Sequence, residues 1–247
     1  MQYVMSDLHG RWDLYSAMLE QIGFSPGDRL YILGDVVDRN YGGIRIFRDI
    51  LDRPNVQLLL GNHEHMMHRA LTSPEERRLN GKDTNLTLWY RNGGKTTQEE
   101  WDREPEAVRM RILERIESLP LNLTAEAGGR RFLLCHASPV CMFRSHGFFY
   151  PDELEFAVWH RLEPWMNIQF PADVLICGHT PAVFYSNTVP MEITRIKENV
   201  YDIDCGCAGN KPESRLACLR LEDMKAFYCA SEKAAEAERA LSGGAGT

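Results

Sequence analysis

The chain has 247 residues, 44% of them hydrophobic, and a formal net charge of -7. A chain of this length can bury one full hydrophobic core, so we expect one domain rather than two. The acidic balance argues against nucleic acid and anionic membranes as partners, because both select clustered Lys and Arg. The sequence begins without a signal-peptide pattern, and no apolar run has the length of a membrane span. We therefore expect a cytoplasmic protein.

The seven cysteines favour the same compartment. Most of them lie inside apolar runs, where a reduced thiol serves as a small buried hydrophobe. Cys205 and Cys207 form a Cys-x-Cys pair with no second pair nearby, so we interpret them as buried thiols rather than as a zinc or redox site.

The first sixty residues predict strands that alternate with helices. Short apolar runs at 2–5, 30–33 and 56–60 suit buried strands, and apolar residues at helical spacing cover 12–22 and 44–51. The order strand, helix, strand is typical of a sheet covered by helices. The sequence therefore predicts an α/β fold.

The next region, residues 65–130, is charged and favours helices. It contains charged runs at 74–78 and 104–116, and a loop at 89–96 that precedes a capped helix. We interpret this region as a helical insertion or cap near the site, with its charge runs on solvated helix faces.

The second half predicts further strands. Strands at 131–135 and 174–177 flank a helix at 151–161. Hairpin-type strands that build a second sheet follow at 182–185, 200–204, 216–221 and 226–229. Residues 231–247 predict a C-terminal helix and a flexible tail.

Polar side chains follow five of the apolar strands at the point where each strand ends: Asp7 and His9, Asp35 and Asp38, Asn62 and His63, His136, and His179. Ligands of open α/β sheets bind beyond the carboxyl ends of the strands, so we expect these side chains to meet. Carboxylate, amide and imidazole ligands without cysteine match Mn, Fe or Zn in a catalytic site rather than a structural zinc. Six ligands suit two ions that share one carboxylate. The alternative, a set of solvated strand ends, does not account for the same order at five strands.

With these residues the chain resembles a known family, the phosphoprotein-phosphatase branch of the calcineurin-like metallophosphoesterases, and within it the small bacterial and phage serine/threonine phosphatases. The matching motifs, in the family's order, are Asp7-x-His9-Gly10, Gly34-Asp35-x-x-Asp38-Arg39, Gly61-Asn62-His63-Glu64, His136-Ala137, Trp159-x-Arg161, Gly178-His179-Thr180 and Ile203-Asp204-x-Gly206. The resemblance covers residues 1–210. It implies an α/β fold, a four-layer αββα sandwich of two mixed sheets. We interpret residues 1–230 as one domain, with 65–130 as its helical insertion.

The resemblance also implies two divalent metal ions, with Mn²⁺ as the first expectation and Fe or Zn as alternatives. It assigns Asp7, His9 and Asp35 to the first ion, and Asp35, Asn62, His136 and His179 to the second. A metal-bridging hydroxide then attacks phosphorus directly and no phosphoenzyme forms. His63 protonates the leaving group, Asp38 orients His63, and Arg39 and Arg161 bind the phosphate oxygens. Glu64 is expected to accept hydrogen bonds behind the ligands.

Some of these assignments have alternatives, and four positions depart from the family pattern. Arg161 can also be a surface arginine at a helix end. His65 and His68 fit one helix face better than a metal site, and His146 and His160 have structural or surface interpretations. Asn40 and Ala137 replace common glycines, Leu60 stands where eukaryotic enzymes carry Arg, and Pro181 replaces a second histidine of the phosphodiesterases. The last two differences favour a non-eukaryotic member of the phosphatase branch.

The first functional hypothesis is a phosphomonoesterase of the serine/threonine protein phosphatase type, a monomer that acts on phosphoproteins or phosphopeptides. The alternative is hydrolysis of dinucleoside polyphosphates, which a relative of similar size performs with related motifs. Asp38 and Arg39 favour the first hypothesis, because that relative usually lacks this Asp. A third hypothesis is a non-catalytic scaffold, which is disfavoured because the chain retains His63 and every expected ligand.

Overall fold

A computed structural model describes residues 1–230 except 79, 80, 82, 210 and 212. The predicted C-terminal helix and tail at 231–247 lie outside the described residues. In chain order the elements are β1 Gln2–Met5, α1 Trp12–Gln21, β2 Arg29–Ile32, α2 Gly43–Leu51, β3 Val56–Leu58, α3 Asn62–Thr72, α4 Asn85–Arg91, α5 Lys95–Trp101, α6 Glu106–Glu117, β4 Asn122–Ala127, β5 Arg130–Cys135, α7 Phe143–His146, α8 Glu153–Trp159, β6 Val174–Cys177, β7 Thr194–Lys197, β8 Val200–Asp202, β9 Arg215–Arg220 and β10 Lys225–Ala230.

The strands form two mixed sheets of five strands each. The first sheet has the order β10-β9-β1-β2-β3 and the second β4-β5-β6-β8-β7. Strands β1, β2 and β3 are parallel to one another, as are β5, β6 and β8. The other four strands pair antiparallel to their neighbours. Two mixed sheets were expected, and this prediction is confirmed.

Side-chain alternation along the strands explains how the sheets pack. In β2, Leu30 and Ile32 join a core shared with helices α1 to α6, whereas Tyr31 packs between the sheets against residues of β5 and β6. Successive strand residues point to opposite faces, so both faces of a buried strand must be apolar. The outer face of the second sheet packs on α8 through Leu175 and Phe156. The result is the expected order of four layers, helices, sheet, sheet and helices.

Several predicted elements differ from the structure. The predicted strand at 182–185 is instead the short 3-10 helix Ala182–Phe184, which begins directly after Pro181. Strands β9 and β10 extend the first sheet beside β1, not the second sheet, because an alternating pattern fixes the buried face of a strand but not its partner.

The predicted insertion differs in part as well. Its end is the strand β4, which pairs with β5 across Gly128 and Gly129, both at positive φ. A Gly-Gly pair between two strands is a hairpin signal that the helical interpretation of this region overlooked. The charged run at 74–78 forms no helix, and Trp89 belongs to α4 rather than to a loop. Strand β7 was not predicted. Among the described residues, no helix is both long enough and apolar enough to cross a membrane.

We expect apolar packing between the two sheets to contribute a large part of the free energy of unfolding. Ile176 in β6 is fully buried there, so Ile176→Ala removes buried apolar atoms and leaves a cavity. We expect the free energy of unfolding, measured by urea titration with circular dichroism, to fall by about 2 to 5 kcal/mol. The control Val183→Ala changes a half-exposed side chain and should stay within about 0.5 kcal/mol. Equal losses in both variants would contradict this packing.

Candidate metal centre

The carboxyl ends of the parallel strands of both sheets meet at one place. Within the first sheet the Asp7 N–H donates to the Gly34 carbonyl at 3.2 Å, and within the second the Gly178 N–H donates to the His136 carbonyl at 2.8 Å. The two edges are joined by the His136 ring, whose Nδ1 lies 2.7 Å from the Leu33 carbonyl. Loops from five strands therefore deliver their side chains into one volume.

The backbone at these strand ends is held in an unusual conformation. Six of the predicted site residues have φ in the left-handed region: Asp7, His9, Asp35, Asp38, Arg39 and His179, at 54, 44, 56, 72, 70 and 69°. Non-glycine residues seldom adopt such angles, and strained backbone concentrates at functional sites. The Glu64 carboxylate supports this backbone, because it accepts the N–H groups of Asp35, Val36 and Gly61 at 2.8, 2.8 and 3.1 Å. The expectation that Glu64 is a hydrogen-bond acceptor is confirmed.

One candidate cation site surrounds the side-chain oxygen of Asn62. This oxygen lies 2.9 Å from His136 Nε2 and 3.0 Å from His179 Nδ1, and His136 Nε2 lies 3.5 Å from Asp35 Oδ1. The other His136 nitrogen, Nδ1, donates a hydrogen bond to the Leu33 carbonyl. The Nε2 atom of the neutral ring therefore carries a free lone pair. Lone pairs that face one another in a buried volume repel unless a cation lies between them.

A second candidate site adjoins the first. His9 Nε2 lies 3.7 Å from Asp35 Oδ2 and 3.9 Å from Asp7 Oδ1. His9 Nδ1 faces the Val37 carbonyl at 3.1 Å, so again a backbone acceptor fixes the tautomer and leaves Nε2 free to bind a metal. Asp35 thus presents one carboxylate oxygen to each site, as a bridging ligand does.

The electrostatics of this volume favour divalent cations. Burial raises the pKa of Asp35 well above its usual range, and the charges of Asp7 and Glu64 raise it further. Burial also lowers the pKa of His9, His136 and His179, so that their rings are neutral. Neutral imidazoles, crowded carboxylates and an amide oxygen are the donor set of Mn²⁺, Fe²⁺ and Zn²⁺. The residues present therefore fit a dinuclear centre.

His63 occupies a separate position beside the shared carboxylate. Its Nδ1 lies 2.7 Å from Asp38 Oδ2, and its Nε2 lies 3.8 Å from Asp35 Oδ2. Burial lowers the pKa of His63 and raises the pKa of Asp38 to about 7. The distances alone also allow His63 to complete a ligand group with His9 and Asp35. The two roles, acid or ligand, are separable by experiment.

Two exposed arginines stand near this volume. Arg39 Nη2 lies 3.2 Å from His63 Nε2. Arg161 follows α8, and its Cζ lies 5.6 Å from the centre of the Phe184 ring. Burial lowers the pKa of His136, and the charges of Arg161 and Arg39 lower it further. Arg39 therefore lies beside His63, and the positive charges of both arginines act on the His136 imidazole.

The remaining histidines and the cysteine pair lie outside this set. His65 pairs with Glu155 at 3.3 Å and His68 with Glu117 at 3.1 Å. His146 Nδ1 contacts its neighbour Ser145 at 2.7 Å, and His160 stacks on Phe156 with ring centres 4.6 Å apart. Cys205 and Cys207 are buried free thiols.

Sequence reasoning missed two residues, Trp89 and Thr97. The indole Nε1 of Trp89 donates to the Asp38 carboxylate, and the Asp38 N–H donates to Thr97 Oγ1 at 2.8 Å. Both residues come from the helical insertion and are fully buried. The only available signal was a tryptophan shortly before Asn-Gly-Gly in an otherwise charged region, and this segment was interpreted as a loop.

Comparison with known proteins identifies the family. The family model described as "Calcineurin-like phosphoesterase" matches residues 3–203. The chain belongs to this family. The phosphoesterase class and a dinuclear metal centre typical of the family agree with the geometry above.

The chain is similar to bacterial proteins named "Bis(5'-nucleosyl)-tetraphosphatase, symmetrical". The protein of Cronobacter sakazakii is 26% identical over an alignment 282 positions long, and the alignment covers 96% of each chain. The protein of Escherichia coli O139:H28 is 25% identical, with 94% of this chain and 95% of that protein covered.

Solved structures share the fold at lower identity. A structure described as a putative diadenosine tetraphosphatase has a TM-score of 0.60 at 17% identity, with 94% of each chain covered. A Saccharomyces cerevisiae protein serine/threonine phosphatase has a TM-score of 0.58 at 14% identity, with 93% of this chain and 79% of the other covered. A cold-active protein-tyrosine phosphatase of Shewanella has a TM-score of 0.52 at 15% identity, with 92% and 79% covered.

Metal content tests the ligand geometry directly. We expect the purified chain, loaded with Mn²⁺ and dialysed, to hold about two ions by elemental analysis. Asp35→Asn removes the shared carboxylate charge and should lower the content to about one ion or fewer. His63→Asn should retain about two ions.

The control for these variants is His68→Asn, since this imidazole pairs with Glu117 away from the centre. It should retain the full metal content. Loss of one ion in His63→Asn would make His63 a ligand and remove it from the role of acid. Full occupancy in Asp35→Asn would contradict a shared carboxylate.

Proposed function

We propose that this protein is a dinuclear-metal phosphohydrolase. The proposal depends on one observation. Five strand ends meet around the Asp35 carboxylate, while the His63 imidazole pairs with Asp38. In this proposal Asp7, His9 and Asp35 hold one ion, and Asp35, Asn62, His136 and His179 hold the other. When bound, the two ions supply an activated water for attack on phosphorus and neutralise charge on the phosphate.

The other residues bind substrate and move a proton. Arg39 and Arg161 can each offer paired hydrogen bonds to phosphate oxygens at the exposed side of the centre. His63 donates a proton from Nε2 to the departing oxygen. Asp38, at 2.7 Å from Nδ1, holds the ring in the required tautomer and stabilises its charged form.

Dinucleoside tetraphosphates are the first substrate class. Relatives over almost the full length of this chain carry the name symmetrical bis(5'-nucleosyl)-tetraphosphatase, and this supports the class that the sequence placed second. The protein phosphatase, the first hypothesis from sequence, has no comparable sequence relative among those described above. Symmetrical hydrolysis would attack the central anhydride and release two nucleoside diphosphates.

Phosphate monoesters of alcohols are the second candidate, and the pair of His63 and Asp38 supports them. An alkoxide is a strong base and leaves slowly unless a proton reaches it, whereas a nucleoside diphosphate is a weak base and leaves without one. An alkoxide leaving group requires a proton donor, and a buried imidazole that is hydrogen-bonded to a buried carboxylate can serve as one.

A substrate panel separates the two candidates. The metal-stripped protein, restored with Mn²⁺, Fe²⁺, Zn²⁺ or Mg²⁺ one at a time, is assayed on diadenosine tetraphosphate and on phosphoserine and phosphothreonine peptides. Two molecules of ADP as the main product, at a higher kcat/KM than for any peptide, would support the first candidate. The reverse order would support the second, and no hydrolysis of either class would contradict the proposed function.

Substitution of the acid sharpens this comparison. His63→Asn should lower kcat on a phosphopeptide by about 100-fold or more, the usual contribution of general acid catalysis. On diadenosine tetraphosphate the loss should stay below about tenfold, because the leaving group needs little proton transfer. An unchanged kcat on the peptide would remove His63 from the role of acid.

A further inference from the structure

The helical insertion reaches the site through Trp89 of α4. Its Nε1 lies 2.9 and 3.0 Å from the two carboxylate oxygens of Asp38, and both residues are fully buried. Since the same carboxylate lies 2.7 Å from His63 Nδ1, the indole, the carboxylate and the imidazole form one hydrogen-bonded chain. Among the described residues, the indole N–H of Trp89 donates only to Asp38, so its polar contact with the site passes through this carboxylate.

The insertion also holds the backbone of the Asp38 turn. The Asp38 N–H donates to Thr97 Oγ1 at 2.8 Å, and the Arg39 N–H donates to the Gly93 carbonyl at 3.1 Å. Asp38 and Arg39 have φ of 72 and 70°, in the left-handed region. Each such residue costs about 1 to 2 kcal/mol, so this turn needs support from its surroundings. Helices α4 and α5 provide that support.

The glycine pair between α4 and α5 makes these contacts possible. A Cβ on Gly94 would lie 2.5 to 2.6 Å from atoms of the Trp89 indole, and a Cβ on Gly93 would lie 2.9 Å from Arg39 Cγ. Any larger residue would push the indole away from Asp38 or the turn away from the insertion. The Asn92-Gly93-Gly94 turn therefore has a geometric function in the placement of the indole and of Asp38.

We infer that Trp89 is a positioning residue for the acid: it holds the Asp38 carboxylate so that His63 presents Nε2 to the departing oxygen of the substrate. The inference rests on the proposed function, in which His63 is the acid, and it adds a role for the insertion. The indole N–H binds both carboxylate oxygens of Asp38 and so restricts rotation about its χ2 angle. The effect of Trp89 on rate then depends on how basic the leaving group is.

Leaving-group dependence distinguishes positioning from simple core packing. Trp89→Phe keeps an aromatic ring and removes the N–H. The matched control is Trp101→Phe, which changes a second buried tryptophan of the insertion that packs in the same core. The substrates are phenyl phosphate, with a basic leaving group, and 2,4-dinitrophenyl phosphate, with a weakly basic one.

We expect Trp89→Phe to lower kcat on phenyl phosphate by about tenfold or more, a part of the general acid contribution. Its kcat on 2,4-dinitrophenyl phosphate should change by less than about twofold, with the metal content unchanged. Trp101→Phe should affect both substrates equally. Equal losses on both substrates in Trp89→Phe, or no loss on either, would overturn the inference.

A second pair of variants covers the case in which Trp89→Phe does not fold. Thr97→Val keeps the shape of the side chain and removes the acceptor of the Asp38 N–H, whereas Thr97→Ser retains that acceptor. We expect the leaving-group-dependent loss in Thr97→Val and its rescue in Thr97→Ser. The same loss in both, or in neither, would overturn the role of the insertion.

His63→Asn separates failure of this inference from failure of the proposed function. If the loaded wild-type protein hydrolyses no phosphate substrate, the proposed function fails. If His63→Asn lowers kcat equally on both aryl phosphates, the assignment of His63 as the acid fails. If His63→Asn shows the selective loss on phenyl phosphate and Trp89→Phe does not, only the positioning role of Trp89 fails.

Discussion

The structure depends on the placement of the buried carboxylate of Asp35 between two groups of lone pairs. His9 faces one of its oxygens at 3.7 Å and His136 faces the other at 3.5 Å. Asp7 and Glu64 add negative charge, and together with burial they raise the pKa of Asp35. Crowded buried carboxylates are costly without compensating positive charge. Divalent cations compensate this negative charge. The crowding of buried carboxylates that destabilises the centre therefore also gives it affinity for metals.

Hydrogen bonds from the surrounding fold determine which atoms face the metals and which atoms move protons. The carbonyls of Leu33 and Val37 fix the tautomers of His136 and His9, and the Asn62 oxygen lies 2.9 and 3.0 Å from nitrogens of His136 and His179. Trp89 acts in the same way on Asp38 from the other side of the site. Two sheets therefore assemble the candidate metal centre, and the helical insertion contacts the Asp38 carboxylate beside it.

The sequence was sufficient to predict how the strand ends meet. Asp7, Asp35 and Asn62 each follow a short apolar run, and parallel strands bring such ends together regardless of the intervening chain. The pairing of β9 with β1, and of β10 with β9, could not be predicted, because alternation specifies a buried face and not a neighbour. Trp89 was missed for a similar reason: its partner Asp38 lies 51 positions away, and helical periodicity gives no information on such a contact.

Substrate preference was the least predictable property. The motifs specify a metal centre that the family shares, and they do not specify which substrate it binds. For this reason the sequence placed protein phosphatase first, on the strength of Asp38 and Arg39, whereas the relatives that match almost the whole chain are named bis(5'-nucleosyl)-tetraphosphatases. The two observations concern different features of the chain, because Asp38 is one position in a motif and the similarity to these relatives extends over almost the whole length.

The most direct test of the central claim is a crystal structure of the chain grown with Mn²⁺, with anomalous diffraction used to locate the metal. The account predicts two anomalous peaks about 3.5 to 4 Å apart, with Asp35 between them, Asn62, His136 and His179 around one, and Asp7 and His9 around the other. His63 should lie next to the pair without binding either ion. A single peak, or a peak bound by His63 through Nε2, would contradict the account.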